Sequence, residues 1–124
     1  MNKKVLVTGA SGHLGGMLFT YLANLGYKNL VGTDLKKKNI GKNQKFILAN
    51  LKNLKSIIKI TKGIYAIVHF GAIPVEDTQS NILQNNIIGT YNLFEAARIN
   101  GVKRIIFASS NHAIGFHRRT TKLN

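Results

Sequence analysis

Residues 3–16 read KKVLVTGASGHLGG, a short apolar run that leads directly into a glycine-rich turn. The glycines follow the spacing Gly9-x-x-Gly12-x-x-Gly15. In such a turn the first glycine permits a tight exit from a strand, the second lets the backbone approach a pyrophosphate, and the third lets the next helix pack against the sheet. Free backbone N–H groups and the positive end of the helix dipole then favour a bound diphosphate. A turn that is merely flexible is the alternative.

An acidic residue follows the second apolar run, where a dinucleotide-binding unit requires one. Asp34 directly follows residues 30–33 (LVGT) and comes about 20 residues after the glycines. A carboxylate there accepts hydrogen bonds from the adenosine ribose and repels a 2′-phosphate, which favours NAD over NADP. Lys36 and Lys37 act in the opposite direction because they can neutralise a phosphate. A turn-forming aspartate is the structural alternative.

Apolar runs alternate with helical patterns along the chain. This alternation predicts an α/β fold, in which helices cover both faces of a parallel sheet. Right-handed crossovers then predict a Rossmann-type doubly wound sheet of strand order 3-2-1-4-5, truncated after the fifth strand, with the ligand at the carboxyl ends of the strands. The predicted strands are residues 4–8, 29–33, 45–49, 66–70 and 104–108, and the predicted helices are residues 13–25, 53–61 and 78–100.

The length of 124 residues fits one domain. Residues 1–116 are predicted to form a partial NAD-binding Rossmann domain, and residues 117–124 a basic tail. The chain has no cysteine for a disulfide or a thiolate metal site, and its Asp, Glu and His residues are few and scattered. No apolar run reaches membrane-spanning length and no signal-peptide pattern is present. We therefore expect a cytoplasmic protein with neither a metal nor a membrane partner.

The chain is strongly basic, with Lys+Arg 18 against Asp+Glu 4 and a formal net charge of +14. Such a balance favours nucleic acid or another acidic partner. The lysines of residues 52–62, however, recur at spacings of three and four between apolar residues, which is typical of the solvated face of an amphipathic helix. Because no arginine and aromatic platform for stacking bases is apparent, we expect no specific nucleic-acid partner. Salt-dependent binding of a basic fragment to nucleic acid is the alternative.

A polar cluster follows the fifth predicted strand. Ser110, Asn111 and His112 come after the apolar residues 104–108, at the edge of the sheet where a substrate carbonyl or hydroxyl would lie beside a nicotinamide. Serines that cap a loop are the alternative. His69 lies inside an apolar strand and is interpreted as a packed histidine rather than a catalyst.

These motifs together resemble a known superfamily. TGASGHLGG (8–16), Asp34, HFGAIP (69–74), NNIIGTYNLFEAAR (85–98) and RIIFASSNHAIGF (104–116) are similar to the extended short-chain dehydrogenases/reductases, in their NAD-dependent epimerase/dehydratase group. The last two strings look most like the uronate dehydrogenases. The resemblance implies an oxidoreductase that transfers a hydride between NAD and a small-molecule sugar, a hexuronate that is oxidised to a lactone. Another nucleotide-sugar epimerase or dehydratase, or a non-catalytic NAD-binding module, is the alternative.

The same resemblance assigns residues to a site. Ser110 matches the catalytic serine that hydrogen-bonds the reacting oxygen, and Ser110, Asn111 and His112 match substrate-binding positions. The cofactor positions that it implies are Gly9, Gly12, His13, Leu14 and Gly15 at the pyrophosphate, Asp34 and Leu35 at the ribose, Asn50 and Leu51 at the adenine, and Gly71, Ala72, Ile73 and Asn86 along the rest of the cofactor.

One motif of that superfamily is absent from the sequence. Its proton is transferred by the tyrosine of a Tyr-x-x-x-Lys motif, whose lysine lowers the pKa of the phenol. None of the four tyrosines in this chain has a lysine four residues later. We therefore expect the chain to be the cofactor-binding half of such an enzyme, inactive alone, with a homodimer formed by the full-length protein through the helix at residues 78–100.

Overall fold

The computed structural model describes residues 3–110 and residue 120. In this part of the chain, parallel strands form one sheet of order β3-β2-β1-β4-β5, which confirms the predicted Rossmann-type α/β fold. The strands are β1 (Val5–Thr8), β2 (Leu30–Asp34), β3 (Lys45–Leu48), β4 (Ala66–His69) and β5 (Arg104–Phe107). The predicted tail at residues 117–124 lies outside the described residues, apart from Thr120.

Helices connect the strands and differ from prediction at one place. They are α1 (His13–Asn24), α2 (Leu54–Thr61), α3 (Gln79–Ile82), a π-helical segment (Leu83–Ile88) and α4 (Gly89–Ile99). The sequence predicts one α-helix over residues 78–100, whereas six residues at its centre have π-helical hydrogen bonding. The three pieces nevertheless form a continuous helix, because Leu83, Ile88 and Gly89 at their junctions all have right-handed helical dihedral angles.

Apolar clusters on the two faces of the sheet hold the strands in place. Leu6 packs in one cluster with Ile57 of α2 and Leu93 of α4. The next residue, Val7, points to the opposite face, as alternation in a strand requires, and packs in a second cluster with Phe19 of α1. Full burial of a side chain of this size contributes about 1.5–3 kcal/mol, so these contacts firmly fix the central strands. The carboxyl ends of β1, β2 and β4 consequently meet at one edge of the sheet.

Candidate functional site

The glycine turn after β1 is packed too closely to admit side chains at two of its positions. Gly9 has a φ of +68°, and a Cβ atom there would lie 2.7 Å from the carbonyl carbon and oxygen of Phe70. A Cβ atom at Gly15 would overlap the carbonyl oxygen of Gly9. The first glycine therefore lets the turn pass beside the end of β4, and Gly15 lets α1 begin against the turn itself.

The amino end of α1 is open to an anion. Its N-cap residue, Gly12, supplies no side-chain cap, and the first turn carries no acidic residue. His13 and Leu14, which begin the helix, are exposed. The first-turn N–H groups of a helix have no partner within the helix, and the helix dipole adds positive potential at the same end. This end of α1 therefore suits a phosphate or a diphosphate.

The carboxylate of Asp34 lies directly beside this turn. One of its oxygens, Oδ2, accepts the backbone N–H of Ser11 at 3.1 Å, and Oδ1 accepts that of Leu35 at 2.7 Å. Each carboxylate oxygen can accept a further hydrogen bond, so the group can still bind the two hydroxyls of a ribose. Asp34 is half-buried and Leu35 is exposed at the rim. The structure thus brings together the turn and the acid, which are separated in the sequence.

Asn50 and Leu51 follow β3 and have contacts that the sequence does not reveal. The Asn50 side chain closes its own turn, because its Oδ1 accepts the Lys52 N–H at 3.0 Å. The Leu51 carbonyl accepts a hydrogen bond from the Asn92 side chain of α4 at 2.9 Å. The side chain of Leu51 fills the space beside Gly71, where a Cβ atom would lie 2.9 Å from its Cδ1. The adenine contacts of Asn50 and Leu51 stay predictions; Oδ1 of Asn50 keeps one lone pair for a further donor.

The loop after β4 is held from two sides. Gly71 donates its backbone N–H to Oγ1 of Thr8 at 3.1 Å. The backbone of Ile73 pairs with the side-chain amide of Asn86, donating to its Oδ1 at 2.7 Å and accepting from its Nδ2 at 3.0 Å. Ala72, between these anchors, is exposed. Asn86 therefore fixes the loop that would line a cofactor; whether it also contacts one stays a prediction.

His69 is a buried connection between strands and helix, in agreement with its interpretation as a packed histidine. Its Nδ1 lies 2.6 Å from Oγ1 of Thr8 and its Nε2 lies 3.1 Å from Oγ1 of Thr90. We assign the Thr8 hydroxyl as the donor to Nδ1 of His69 and the imidazole N–H at Nε2 as the donor to Thr90, so that Oγ1 of Thr8 donates one hydrogen bond and accepts the Gly71 N–H. Burial lowers the pKa of His69 to about 4, so the ring is neutral near pH 7.

The substrate side of the predicted site is only partly described. The hydrogen bonding between β5 and β4 continues one residue past the end of β5, since Ala108 donates its N–H to the carbonyl of His69 at 3.2 Å. Ser110 follows and is exposed. Asn111 and His112 lie outside the described residues. The roles of these three residues therefore stay predictions.

Several residues that shape this edge escape the sequence patterns: Ser11, Thr8, Thr90 and Asn92. Thr8 and Asn92 do carry a weak signal, since each is a polar residue at a position where the pattern of its strand or helix is apolar. All four residues lie in the quoted strings TGASGHLGG and NNIIGTYNLFEAAR, but the resemblance assigns none of them a role.

Residues 3–110 and 120 include no helix that is long and apolar enough to span a bilayer. In the same part of the chain, no three His, Asp or Glu side chains are grouped so that they could hold a metal ion.

Known proteins share this sequence and geometry. The model of the NAD dependent epimerase/dehydratase family matches residues 5–123. Uronate dehydrogenase from Agrobacterium fabrum is 43% identical over 121 residues, which cover 98% of this chain and 46% of that enzyme. The crystal structure of uronate dehydrogenase from Agrobacterium tumefaciens, a mutant complexed with NAD, has a TM-score of 0.86 at 43% identity. The aligned region covers 98% of this chain and 46% of the crystallised chain.

A second solved structure, glucuronic acid dehydrogenase from Chromohalobacter salexigens, has a TM-score of 0.87 at 37% identity, covering 99% of this chain and 46% of its own. The chain thus spans about half the length of the curated relatives it matches.

Proposed function

The chain belongs to the NAD-dependent epimerase/dehydratase family, and from this membership we propose that it is the cofactor-binding half of an NAD-dependent oxidoreductase acting on a sugar, a hexuronate. The observation that carries the proposal is the contact between the glycine turn and the acid of β2. The Ser11 N–H lies 3.1 Å from the Asp34 carboxylate, beside the open end of α1. This arrangement offers a diphosphate site and a ribose site side by side.

The chain's own residues would hold the cofactor along this edge. The diphosphate would lie on the first turn of α1, and the ribose hydroxyls on Asp34. NAD, when bound, supplies the hydride acceptor. The residues that we propose to contact it are Gly9, Gly12, His13, Leu14, Gly15, Asp34, Leu35, Asn50, Leu51, Gly71, Ala72, Ile73 and Asn86.

The sugar would lie beyond β5. We propose that Ser110 donates a hydrogen bond to the reacting oxygen and that Asn111 and His112 bind the sugar. No Tyr-x-x-x-Lys motif is present to move the proton. Loss of a general acid or base costs about 10²–10⁴-fold in rate, so the chain as given is expected to bind NAD without turning it over.

We propose a homodimer for the full-length form, through the long helix. Ile87, Tyr91 and Phe94 leave an apolar stripe exposed there, with Tyr91 64% accessible. Large exposed apolar patches are typical of interaction surfaces. A cytoplasmic location completes the proposal, because an enzyme of this kind draws on the NAD of that compartment.

Calorimetric titration of the 124-residue chain with NAD tests the proposal. We expect saturable binding, and we expect Asp34→Asn to weaken it about tenfold or more, because a hydrogen bond to a charged group contributes about 1.5–3 kcal/mol. Asp77→Asn is the matched control: it removes the same charge at an exposed residue that precedes α3. Absence of NAD binding by a chain with intact circular dichroism would overturn the proposal, as would equal effects of the two substitutions.

A further inference from the structure

Basic residues gather at the edge of the sheet opposite the candidate site. Because the strands are parallel, their amino ends lie together at that edge. Each strand begins with a lysine or arginine or follows one closely along the chain. We call this set the basic edge; it consists of Lys3, Lys4, Lys28, Lys45, Lys62, Lys103 and Arg104. Its side chains are exposed except that of Lys4, which is half-buried.

Backbone hydrogen bonds hold these separate segments side by side. Val5 donates its N–H to the carbonyl of Asn29, in the segment before β2, at 2.8 Å. Tyr65 donates its N–H to the Lys4 carbonyl at 2.8 Å, and its own carbonyl accepts the Lys103 N–H at 2.9 Å. Neighbouring strands lie about 4.8 Å apart, so the cations at their amino ends form a row along the edge.

Two tyrosines lie among the cations of the basic edge. The Lys3 ammonium group donates to the Tyr65 hydroxyl at 3.1 Å and lies 4.2 Å from the centre of its ring. The hydrogen bond from Lys3, together with one from Arg104, lowers the pKa of the Tyr65 phenol. The Tyr27 hydroxyl donates to the Lys3 carbonyl at 3.2 Å. Folding thus assembles, from four separate segments, a group of cations and aromatic rings that the sequence does not show.

The four acidic residues of the chain lie away from this row or are already paired. Asp34 ends β2, and Glu76 and Asp77 follow β4, so these three lie on the side of the carboxyl ends of the strands. Glu95 lies in α4 and forms a salt bridge with Arg98 at 2.8 Å. Among the described residues, no acid therefore neutralises a cation of the basic edge.

A row of unneutralised cations matches a partner whose charges also lie in a row. A nucleic-acid strand is such a partner, because each nucleotide carries a phosphate and its neutralisation by lysine or arginine releases counterions. Single strands are commonly held in a positively charged groove with aromatic rings on which bases stack, and Tyr27 and Tyr65 supply such rings. Anionic membranes are instead typically bound by an amphipathic helix, whereas the basic edge is built from strand ends.

We propose that the basic edge binds the phosphate backbone of single-stranded nucleic acid without reading its base sequence. This surface lies at the edge of the sheet opposite the glycine turn. The inference is independent of the proposed function, because no residue of the basic edge is among those proposed to contact NAD.

Fluorescence anisotropy of a labelled, mixed-sequence RNA of about 20 nucleotides, titrated with the full chain over a range of salt, tests the inference. Contact with about five phosphates predicts that log Kd rises with log salt with a slope of about 3–4. Lys3→Gln/Lys103→Gln/Arg104→Gln should lower the slope by about two and weaken binding about ten- to hundredfold at about 0.1 M salt. Lys28→Gln/Lys62→Gln leaves the Tyr65 contacts intact and should weaken binding about five- to thirtyfold.

Lys36→Gln/Lys37→Gln/Lys38→Gln is the matched control. It removes three exposed charges from the loop after β2, at the opposite edge, and should weaken binding less than about threefold. Equal effects of the two triple substitutions, with circular dichroism unchanged, would overturn the inference, since diffuse charge attraction would then explain the binding.

Competition separates the basic edge from the glycine turn. Saturating NAD should leave the RNA bound, and displacement of the RNA by NAD would overturn the inference by placing it on the glycine turn. The folded chain's failure to bind the RNA at low salt would also overturn it. Tighter binding to vesicles of phosphatidylcholine and phosphatidylserine than to the RNA, at the same salt, would assign the basic edge to a membrane surface instead.

Discussion

At the scale of single residues, Gly9 combines a left-handed backbone with a close neighbour. Its φ is +68°, and an added Cβ would lie 2.7 Å from the Phe70 carbonyl. Gly9→Ala should lower the free energy of unfolding by about 2–4 kcal/mol, from left-handed strain and overpacking together. Gly26 has a φ of +80° with nothing within 4 Å of an added Cβ, so Gly26→Ala should cost only about 1 kcal/mol. Urea unfolding of both variants measures the difference, and equal costs would contradict the packing argument.

Burial of His69 makes folding depend on pH. The pKa of the folded protein's His69 is about 4, against an ordinary 6.5, because the imidazole is removed from water among uncharged neighbours. Between pH 6.5 and pH 4, His69 is therefore protonated in the unfolded chain but stays neutral in the folded protein. Stability should be unaffected by this group above pH 6.5 and should fall by about 3 kcal/mol as the pH falls from 6.5 to 4.

Urea unfolding at several pH values measures this loss. His69→Gln should remove that part of the pH dependence, whatever its effect on stability at pH 7. His13→Gln, at an exposed position, should leave the free energy of unfolding with the same dependence on pH as in the unchanged chain. A slope that His69→Gln leaves intact would assign the pH dependence to other groups.

Sequence spacing predicts some residue contacts at this edge and misses others for a physical reason. Asp34 is predictable because parallel strands place their carboxyl ends together. The hydrogen bonds that the Ser11 hydroxyl donates to the Lys36 carbonyl and accepts from the Lys38 N–H are not predictable, because they depend on the path of a loop. The hydrogen bond that Oδ1 of Asn50 accepts from the Lys52 N–H likewise follows from a local turn rather than from the motif.

At the scale of elements, the five strands and the first two helices follow from the alternation of apolar runs, and their predicted bounds agree within one or two residues. The π-helical segment Leu83–Ile88 does not follow. A π-helix bonds each residue to the fifth along, and a single such segment shifts the pattern by too little to show in hydrophobic spacing. The sequence therefore predicts the long helix but not its change of hydrogen bonding beside the site.

The π-helical segment acts on the site through Asn86. Asn86→Ala removes both hydrogen bonds to the Ile73 backbone and should weaken NAD binding about three- to tenfold, because the loop after β4 loses its anchor. Asn85→Ala is the neighbouring control; among the described residues, its side chain donates only to the Asn81 carbonyl within the same helix. Calorimetric titration compares the variants. Equal NAD affinities would show that the loop keeps its position without the amide.

At the scale of the whole molecule, an apolar face extends from the long helix to the edge of the sheet. Tyr91 and Phe94 lie on the helix, and Phe107 of β5 meets Phe94 edge to face with 6.2 Å between ring centroids. Phe107 itself is 49% exposed. An edge strand with apolar side chains favours association. The net charge of +14 opposes it, because two copies repel each other.

Salt should decide between these two forces. The screening length falls from about 10 Å at 0.1 M salt to about 3 Å at 1 M, whereas apolar contact does not weaken. The chain should therefore be monomeric at low salt and self-associate as salt rises, as sedimentation velocity would show. Tyr91→Lys should keep it monomeric, because it places a charge on the apolar face, whereas Tyr21→Lys, equally exposed on α1, should associate like the unchanged chain. Association that weakens with salt would instead mean that charged contacts hold the copies together, and the apolar face would then not be the surface on which the full-length form pairs.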